Sequence, residues 1–236
     1  MDASKISIII PVYKRIELLE RCLNSCENST LKPFEIIVVD DGNDSADIVT
    51  LKKIVQKFGV RLLQLPSNNG APVARNLGAR VATGEFLFFA DADIEICFDG
   101  LAQLANALQK NPDAAFAYGN FMFGEQEMRG QVFSVDVLKQ RNFISTMTLI
   151  RAENFIGFDP KLKRFQDWDL WLTLAEHGKY GVYVDKKIFV AHPGGSMSTW
   201  LPSIVIKYAR FFSWIPAVHS YVRARAVIFE KHHLST

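Results

Sequence analysis

The chain is short of several things, and each shortage removes a class of protein. Its 236 residues include three cysteines, a sparse and odd count that cannot build a disulfide framework and points to reduced thiols. No apolar run approaches the ~18–20 residues that span a bilayer. The early run Ile6 to Val12 is interrupted by Pro11 and preceded by Asp2 and Lys5, so it reads as part of the fold rather than as a secretion signal. Net charge is only +2, from 27 basic and 25 acidic residues, which gives no reason to expect nucleic acid as a partner. The turn Gly-x-Gly-x-x-Gly is missing after the first strand-like run, which sets aside a dinucleotide dehydrogenase. The remaining expectation is a soluble cytoplasmic protein.

What is present is apolar and ordered in pattern. A hydrophobic share of 49% is too high for a mainly disordered chain, and the length suits one large domain. In the first half, short apolar runs alternate with helical spacing. Ile6 to Ile10, Glu35 to Val39, Val60 to Leu65 and Phe86 to Ala90 read as buried strands. Between them, Glu17 to Asn28, a segment from Asp44 or Ser45 to Gly59, and Ala71 to Ala82 read as helices. Strand and helix in alternation, with near-continuous apolar strands, predicts an α/β fold with a mostly parallel sheet covered on both faces. Ligands of such sheets bind beyond the carboxyl ends of the strands. Tyr13, Asp40, Asp41, Asp91 and Asp93 stand at those ends.

The second half is less regular. Leu101 to Leu108 and Trp168 to His177 read as helices; Ala114 to Phe123, Gln131 to Val135, Tyr180 to Val184 and Ile188 to Ala191 read as strands. No repeat or linker divides the chain. The expected organisation is a domain over 1–201, with a donor half of about 1–97 and an acceptor half of about 98–201, followed by a helical extension over 202–236.

Three features carry chemistry on residue type alone. Asp91-Ala92-Asp93 sets two carboxylates at the mouth of an apolar strand, which suits Mg²⁺ or Mn²⁺ shared with substrate phosphates, or else forms a solvated turn or helix cap. Asp40 and Asp41 can accept from a nucleobase N–H or cap the helix that follows. Arg75 can neutralise a diphosphate through its planar fork or pair with a surface acid.

In this order the pieces resemble the family 2 glycosyltransferases of the GT-A fold. The matching stretches are Ser7 to Tyr13, Glu35 to Gly42, Asn69 to Gly78, Gly84 to Asp93, Gly157-Phe158-Asp159 and Asp167 to Leu172. The resemblance spans roughly residues 5 to 200 and implies a Rossmann-like sheet of the GT-A type. It implies a metal-dependent, inverting, hexosyltransferase-type enzyme, with Mn²⁺ or Mg²⁺ as cofactor. The donor would be a nucleoside-diphosphate sugar, UDP- or dTDP-linked, and the acceptor a hydroxyl of a glycan or lipid-linked glycan, as in building the polysaccharides of a cell envelope. Carried over by position, Pro11, Tyr13 and Asp40 would line the nucleoside pocket, with Asp41 and Arg75 also on the donor side. Asp91 would meet the ribose or a metal-bound water, Asp93 would ligate the metal with help from His192, and Asp167 would be the general base. The chain departs from the family pattern at Gln166, where an acid is common, and at Ile156-Gly157-Phe158-Asp159-Pro160. Asp169, two residues beyond Asp167, stays a rival base. A non-catalytic or decayed nucleotide-sugar-binding protein of the same fold is the alternative that Gln166 favours.

Charge is unevenly placed. Residues 1–203 hold 22 basic and 24 acidic side chains, whereas residues 204–236 hold 5 and 1. Ile204, Tyr208, Phe211, Ile215, Val218, Val222 and Phe229 recur at helical spacing in that tail, with Pro216 expected to kink or divide it. A helix packed on its own domain, a peripheral contact with anionic membrane through 204–229 on the inner face of the cell membrane, and a homodimer contact are the three readings. Cys22 and Cys26 share a face with Leu19 and Leu23 and read as core. His232 and His233 lack companion ligands and read as solvated.

Overall fold

The computed structural model describes residues 5–192 and 214–234. Four parallel strands form one side of a nine-stranded sheet: β1 (Ile6–Val12), β2 (Glu35–Asp40), β3 (Arg61–Gln64) and β4 (Phe86–Phe89), in the order β3-β2-β1-β4. The other side holds β5 (Ile94–Ile96), β6 (Phe116–Phe123), β7 (Gln126–Met128), β8 (Leu149–Arg151) and β9 (Gly181–Ala191). The strand β8 joins the two sides by pairing antiparallel with both β4 and β6. Beyond it β6 and β9 run parallel, and β5 closes the edge antiparallel to β9.

Helices cover both faces because the strands are apolar on both. Ile8 and Ile10 pack beneath α1 (Ile16–Asn28), α2 (Ser45–Phe58) and α4 (Gly100–Lys110). Between them, Ile9 turns the other way with Ile37 and Val39, towards α3 (Ala71–Val81), α6 (Gln166–Glu176) and α7 (Pro216–Lys231). The short α5 (Val135–Gln140) packs against α6 on this second face. All three isoleucines are fully buried, and each such side chain contributes roughly 1.5–3 kcal/mol. Local signals fix the helix ends: Asp44 accepts from the N–H of Ala46 and Asp47, and Gly59 ends α2 with φ 62°.

Several second-half expectations change. Gln131 to Val135 is not a strand, because Ser134 accepts from the Val137 N–H at 3.3 Å and starts α5 instead. The two runs expected over Tyr180 to Val184 and Ile188 to Ala191 fall in one strand, β9, which begins at Gly181 and continues through Asp185-Lys186-Lys187. Its partner β6 shifts register around Asn120, and Asn120 Nδ2 bonds Asp185 at 2.9 Å, so the polar triplet stays in the sheet. Pro216, expected to kink or divide the tail, stands at the start of α7, where the first helical position needs no N–H. The 201/202 boundary, Pro193 to Ser198, and stripe positions Ile204, Tyr208 and Phe211 lie outside the described residues. Among the described residues, no helix is long and apolar enough to cross a membrane.

Candidate active site at the carboxyl ends of the strands

The parallel strands deliver their last residues to one end of the sheet. Asp40 closes β2 fully buried. Its Oδ1 accepts from the backbone and side-chain N–H of Asn43 at 2.9 and 2.7 Å, and its Oδ2 from Gln64 at 3.0 Å. Asn43 also donates to the Val12 carbonyl at 2.9 Å, so it ties the end of β1 to the end of β2. Beside Asp40, Asp41 takes the N–H groups of Asn69 and Gly70 at 2.9 Å each and the Asn68 amide at 3.2 Å. Burial pushes its carboxyl above the usual range, against the pull of those two N–H groups. Asp41 is thus the staple of the loop that opens α3. Gly42 is required next to it. At φ 77°, an added Cβ would lie 2.2 Å from the Ser67 backbone of the same loop.

Pro11 pairs with Val39 inside the parallel ladder, and Tyr13 stands just past it, 44% exposed at the mouth. Lys14 and Arg15 follow with φ of 54° and 53°, two successive non-glycine residues in the left-handed region. Such conformations cost about 1 kcal/mol or more apiece and gather at functional sites. Arg15 uses the turn to place Nη1 3.2 Å from Asp93 Oδ2.

Asp91 and Asp93 emerge after β4, as their sequence position requires. Arg75, only 5% exposed on α3, donates through Nη2 to Asp91 at 2.6 Å and through Nη1 to Gln166 at 3.1 Å. Among the described residues its Nε is buried without a hydrogen-bond partner. Arg75 therefore spans from the carboxylate pair to the first residue of α6, the helix of Asp167. The guanidinium also lies 5.4 Å from the centre of the Phe158 ring.

Asp167 and Asp169 sit two residues apart but face different surroundings. Asp167 bonds the Trp168 N–H at 2.8 Å and the Asn142 side chain. Burial raises its carboxyl above the ordinary range, although those bonds and the charge of Arg75 pull it back. Asp169 turns to the other side of α6, where Lys231 and His232 hold it at 2.8 and 2.9 Å. It is already committed to a buried ion cluster. His232, expected in solvent, is enclosed in that cluster, with its side chain 2% exposed.

His192 follows β9, whose register sets Ala191 opposite Ile94 at the end of the Asp91-Ala92-Asp93 turn. Its ring nevertheless turns to Glu95, with Nε2 2.6 Å from Oε1. Among the described residues, no three His, Cys, Asp or Glu side chains come together as a metal-binding group. The expected trio of Asp91, Asp93 and His192 is thus near in the chain path but not assembled.

Two further residues went unassigned in the sequence. Asn76 grips the backbone of Phe158 with both ends of its amide, and Asn142 touches Asp167. Only the position of Asn76 directly after Arg75 hinted at the first. Nothing local marked the second.

Residues 7–166 match the profile described as Glycosyl transferase family 2. An uncharacterized glycosyltransferase of Haemophilus influenzae is 32% identical over 186 residues, covering 78% of this chain and 72% of that one. A GalNAc(5)-diNAcBac-PP-undecaprenol β-1,3-glucosyltransferase of Campylobacter jejuni is 30% identical over 202 residues, covering 78% and 64%. Other relatives are longer still; a Rickettsia conorii glycosyltransferase is matched over only 35% of its length. Among solved structures, S. aureus TarS 1–349 in complex with UDP-GlcNAc superposes with a TM-score of 0.65 at 22% identity, covering 89% of this chain and 65% of that one. The mannosyltransferase PcManGT from Pyrobaculum calidifontis, in complex with GDP-Man and Mn²⁺, gives 0.63 at 18% identity, covering 95% and 69%.

Proposed function

The chain belongs to glycosyl transferase family 2, and from that membership we propose that it moves a hexose from a nucleoside-diphosphate sugar to a glycan hydroxyl with inversion. The observation that carries the reading is Arg75, which links Asp91 on the donor side to Gln166 beside Asp167 on the acceptor side. Arg75 thereby ties the side that would hold the diphosphate to the helix that would carry the base. Solved neighbours of the same fold hold UDP-GlcNAc and GDP-Man, which supports a nucleotide-sugar donor. UDP or dTDP is the nucleotide we favour.

The donor set suits a hard divalent cation such as Mn²⁺ or Mg²⁺. Asp91 and Asp93 supply oxygen ligands one residue apart, and each is now neutralised by an arginine that a cation and a diphosphate could relieve. Asp93 would be the principal ligand, with Asp91 beside it. His192 would have to leave Glu95 to join them. Such an ion, when bound, offsets charge developing on the departing diphosphate.

The protein's own residues then divide the remaining work. Pro11 and Tyr13 wall the base, while Asp40, buried with both oxygens taken by Asn43 and Gln64, braces the strand ends behind them instead of offering a free acceptor to the base. Asp41 fixes the loop that presents α3, and so fixes Arg75. Arg75 holds negative charge on the leaving side. Asp167 takes the proton of the attacking hydroxyl, and its raised carboxyl makes it a stronger base than an exposed aspartate. Asp169, held by Lys231 and His232, is the less favoured base. Gln166 replaces an acid but still accepts from Arg75, so the link survives the change that favoured a decayed protein.

For the acceptor we propose a glycan or lipid-linked glycan, in line with the undecaprenol-linked name of the Campylobacter relative. The basic tail and the 79% exposed Trp214 support a peripheral contact with anionic lipid. UDP-, dTDP- and GDP-linked hexoses, assayed for slow release of free nucleotide, test the proposal. Turnover of one class supports it, and silence with all three contradicts it.

A further inference from the structure

The densest group of ion pairs lies away from the strand ends, under the last turn of α7. Lys231 Nζ is 2.7 Å from Asp159 Oδ2 and 2.8 Å from Asp169 Oδ1. The next residue, His232, sets Nε2 2.9 Å from Asp169 Oδ1 and Nδ1 2.8 Å from Glu176 Oε1. Two side chains thus join three carboxylates drawn from a loop and from both ends of α6. Asp169 and His232 have side chains only 5% and 2% exposed, so water cannot replace either partner at low cost.

Apolar contacts reach the same helix. Phe229 meets the Trp168 ring at 5.9 Å, and Tyr221 meets Phe165 at 5.2 Å. Phe165, Trp168 and Asp169 bracket Asp167 in the chain, and all three are held by α7 or by the residue after it. The loop is held as closely. Phe158 is fastened to α3 by Asn76, and its neighbour Asp159 is fastened to Lys231. Two adjacent residues are therefore gripped from the donor half and from the C-terminal helix.

We propose that Lys231 and His232 are positioning residues that lock the Gly157–Asp159 segment and the first turn of α6 into one wall, holding Asp167 in place for proton transfer. The consequence for Asp167 rests on the glycosyl-transfer reading above; the mechanical lock does not. Neither residue touches substrate. They act through Asp159 and Asp169, which is why Asp169 resembles a catalytic acid in the sequence while serving as an anchor in the fold.

The test uses the full chain, as wild type, Lys231→Met, Lys231→Arg and His232→Gln. Hydrogen exchange should quicken about tenfold at Phe158 to Leu162 and in the first turn of α6 in Lys231→Met. Lys231→Arg, which keeps the charge and two donors, should restore protection. Amides of β1, β2 and α3 should not change. With a UDP-hexose as probe, Lys231→Met and His232→Gln should lower kcat for nucleotide release about tenfold and leave donor KM unchanged. Unaltered exchange at Phe158 to Leu162, or a rise spread evenly over the chain, would overturn the lock. A parallel rise in donor KM would overturn its selective effect on Asp167. A wild type that binds none of UDP, dTDP and GDP and turns over none of their hexoses contradicts the functional reading alone, because the exchange result still decides the lock.

Discussion

The side-chain amide of Asn76 pairs with the backbone of Phe158 as a strand neighbour would, donating to its carbonyl at 2.7 Å and accepting from its N–H at 2.8 Å. Asn76 follows Arg75 on α3, so one turn of one helix holds Asp91 and Gln166 through Arg75 and the backbone of Phe158 through Asn76. Gly157, at φ 94°, lets the loop approach. Phe158 then packs edge-on to Phe89 with ring centres 5.0 Å apart, against the last residue of β4.

Asn76→Ala should therefore cost more than an ordinary surface change. Two part-buried backbone groups lose their partner, at about 1 kcal/mol each. For a chain of this size that is a fall of roughly 4–8 °C in Tm. Asn76→Asp keeps the acceptor but sets a carboxylate oxygen against the Phe158 carbonyl, and should lose at least as much. Thermal unfolding of the two variants checks this; a Tm unchanged in both would show that the two-sided pairing is unimportant.

Asp167 carries a second prediction, in which stability and activity move in opposite directions. Because burial raises its carboxyl in the folded protein, the ionised form weakens the fold at neutral pH, and that loss is relieved as pH falls through the raised value. Asp167→Asn should raise Tm at pH 7 while lowering nucleotide release from a UDP-hexose by about 10²–10⁴. In the wild type, activity should rise with pH along a limb lying above the usual aspartate range. Asn142→Leu removes a bond that favours the ionised carboxylate and should move that limb higher. A limb unmoved by Asn142→Leu would argue that another group titrates.

His232 gives a pH signature of the opposite sign. Burial disfavours its charged ring, but the bonds to Asp169 and Glu176 outweigh this and raise it above its ordinary value of 6.5. Its contribution to stability is thus complete below about pH 6.5 and fades as pH rises through the higher folded value. Lys231 and Asp159, the other charged groups of the cluster, keep their charge across that window. Denaturant melts between pH 5.5 and 9 should show stability declining over the upper part of the range, with a flatter profile in His232→Gln. Parallel profiles would remove the histidine from the account.

Sequence legibility followed distance along the chain. The strands ending at Asp40 and at Asp91, the cap at Asp44 and the stop at Gly59 are written in neighbouring residues, and each could be read there. The parallel direction of the first four strands followed from their alternation with helices, though not their order across the sheet. Asp169 and His232 could not be read this way, since their roles depend on each other across more than sixty residues. The merging of two short strands into β9 was hidden for a related reason. Asp185-Lys186-Lys187 looks like a break until Asn120 and Tyr183 are beside it. Gln166 looked like a lost acid, and its bonds to Arg75 at 3.1 Å and to the Leu162 carbonyl at 3.0 Å give it a purpose. Local punctuation was legible, whereas long-range polar pairing was not.

The most direct measurement is calorimetric binding of UDP to the full chain, with and without Mn²⁺, in the wild type and in Asp93→Ala. The account predicts binding that Mn²⁺ strengthens at least tenfold, and an Asp93→Ala variant that stays folded but loses that strengthening. UDP, dTDP and GDP all failing to bind the wild type, or Mn²⁺ acting equally on Asp93→Ala, would contradict it.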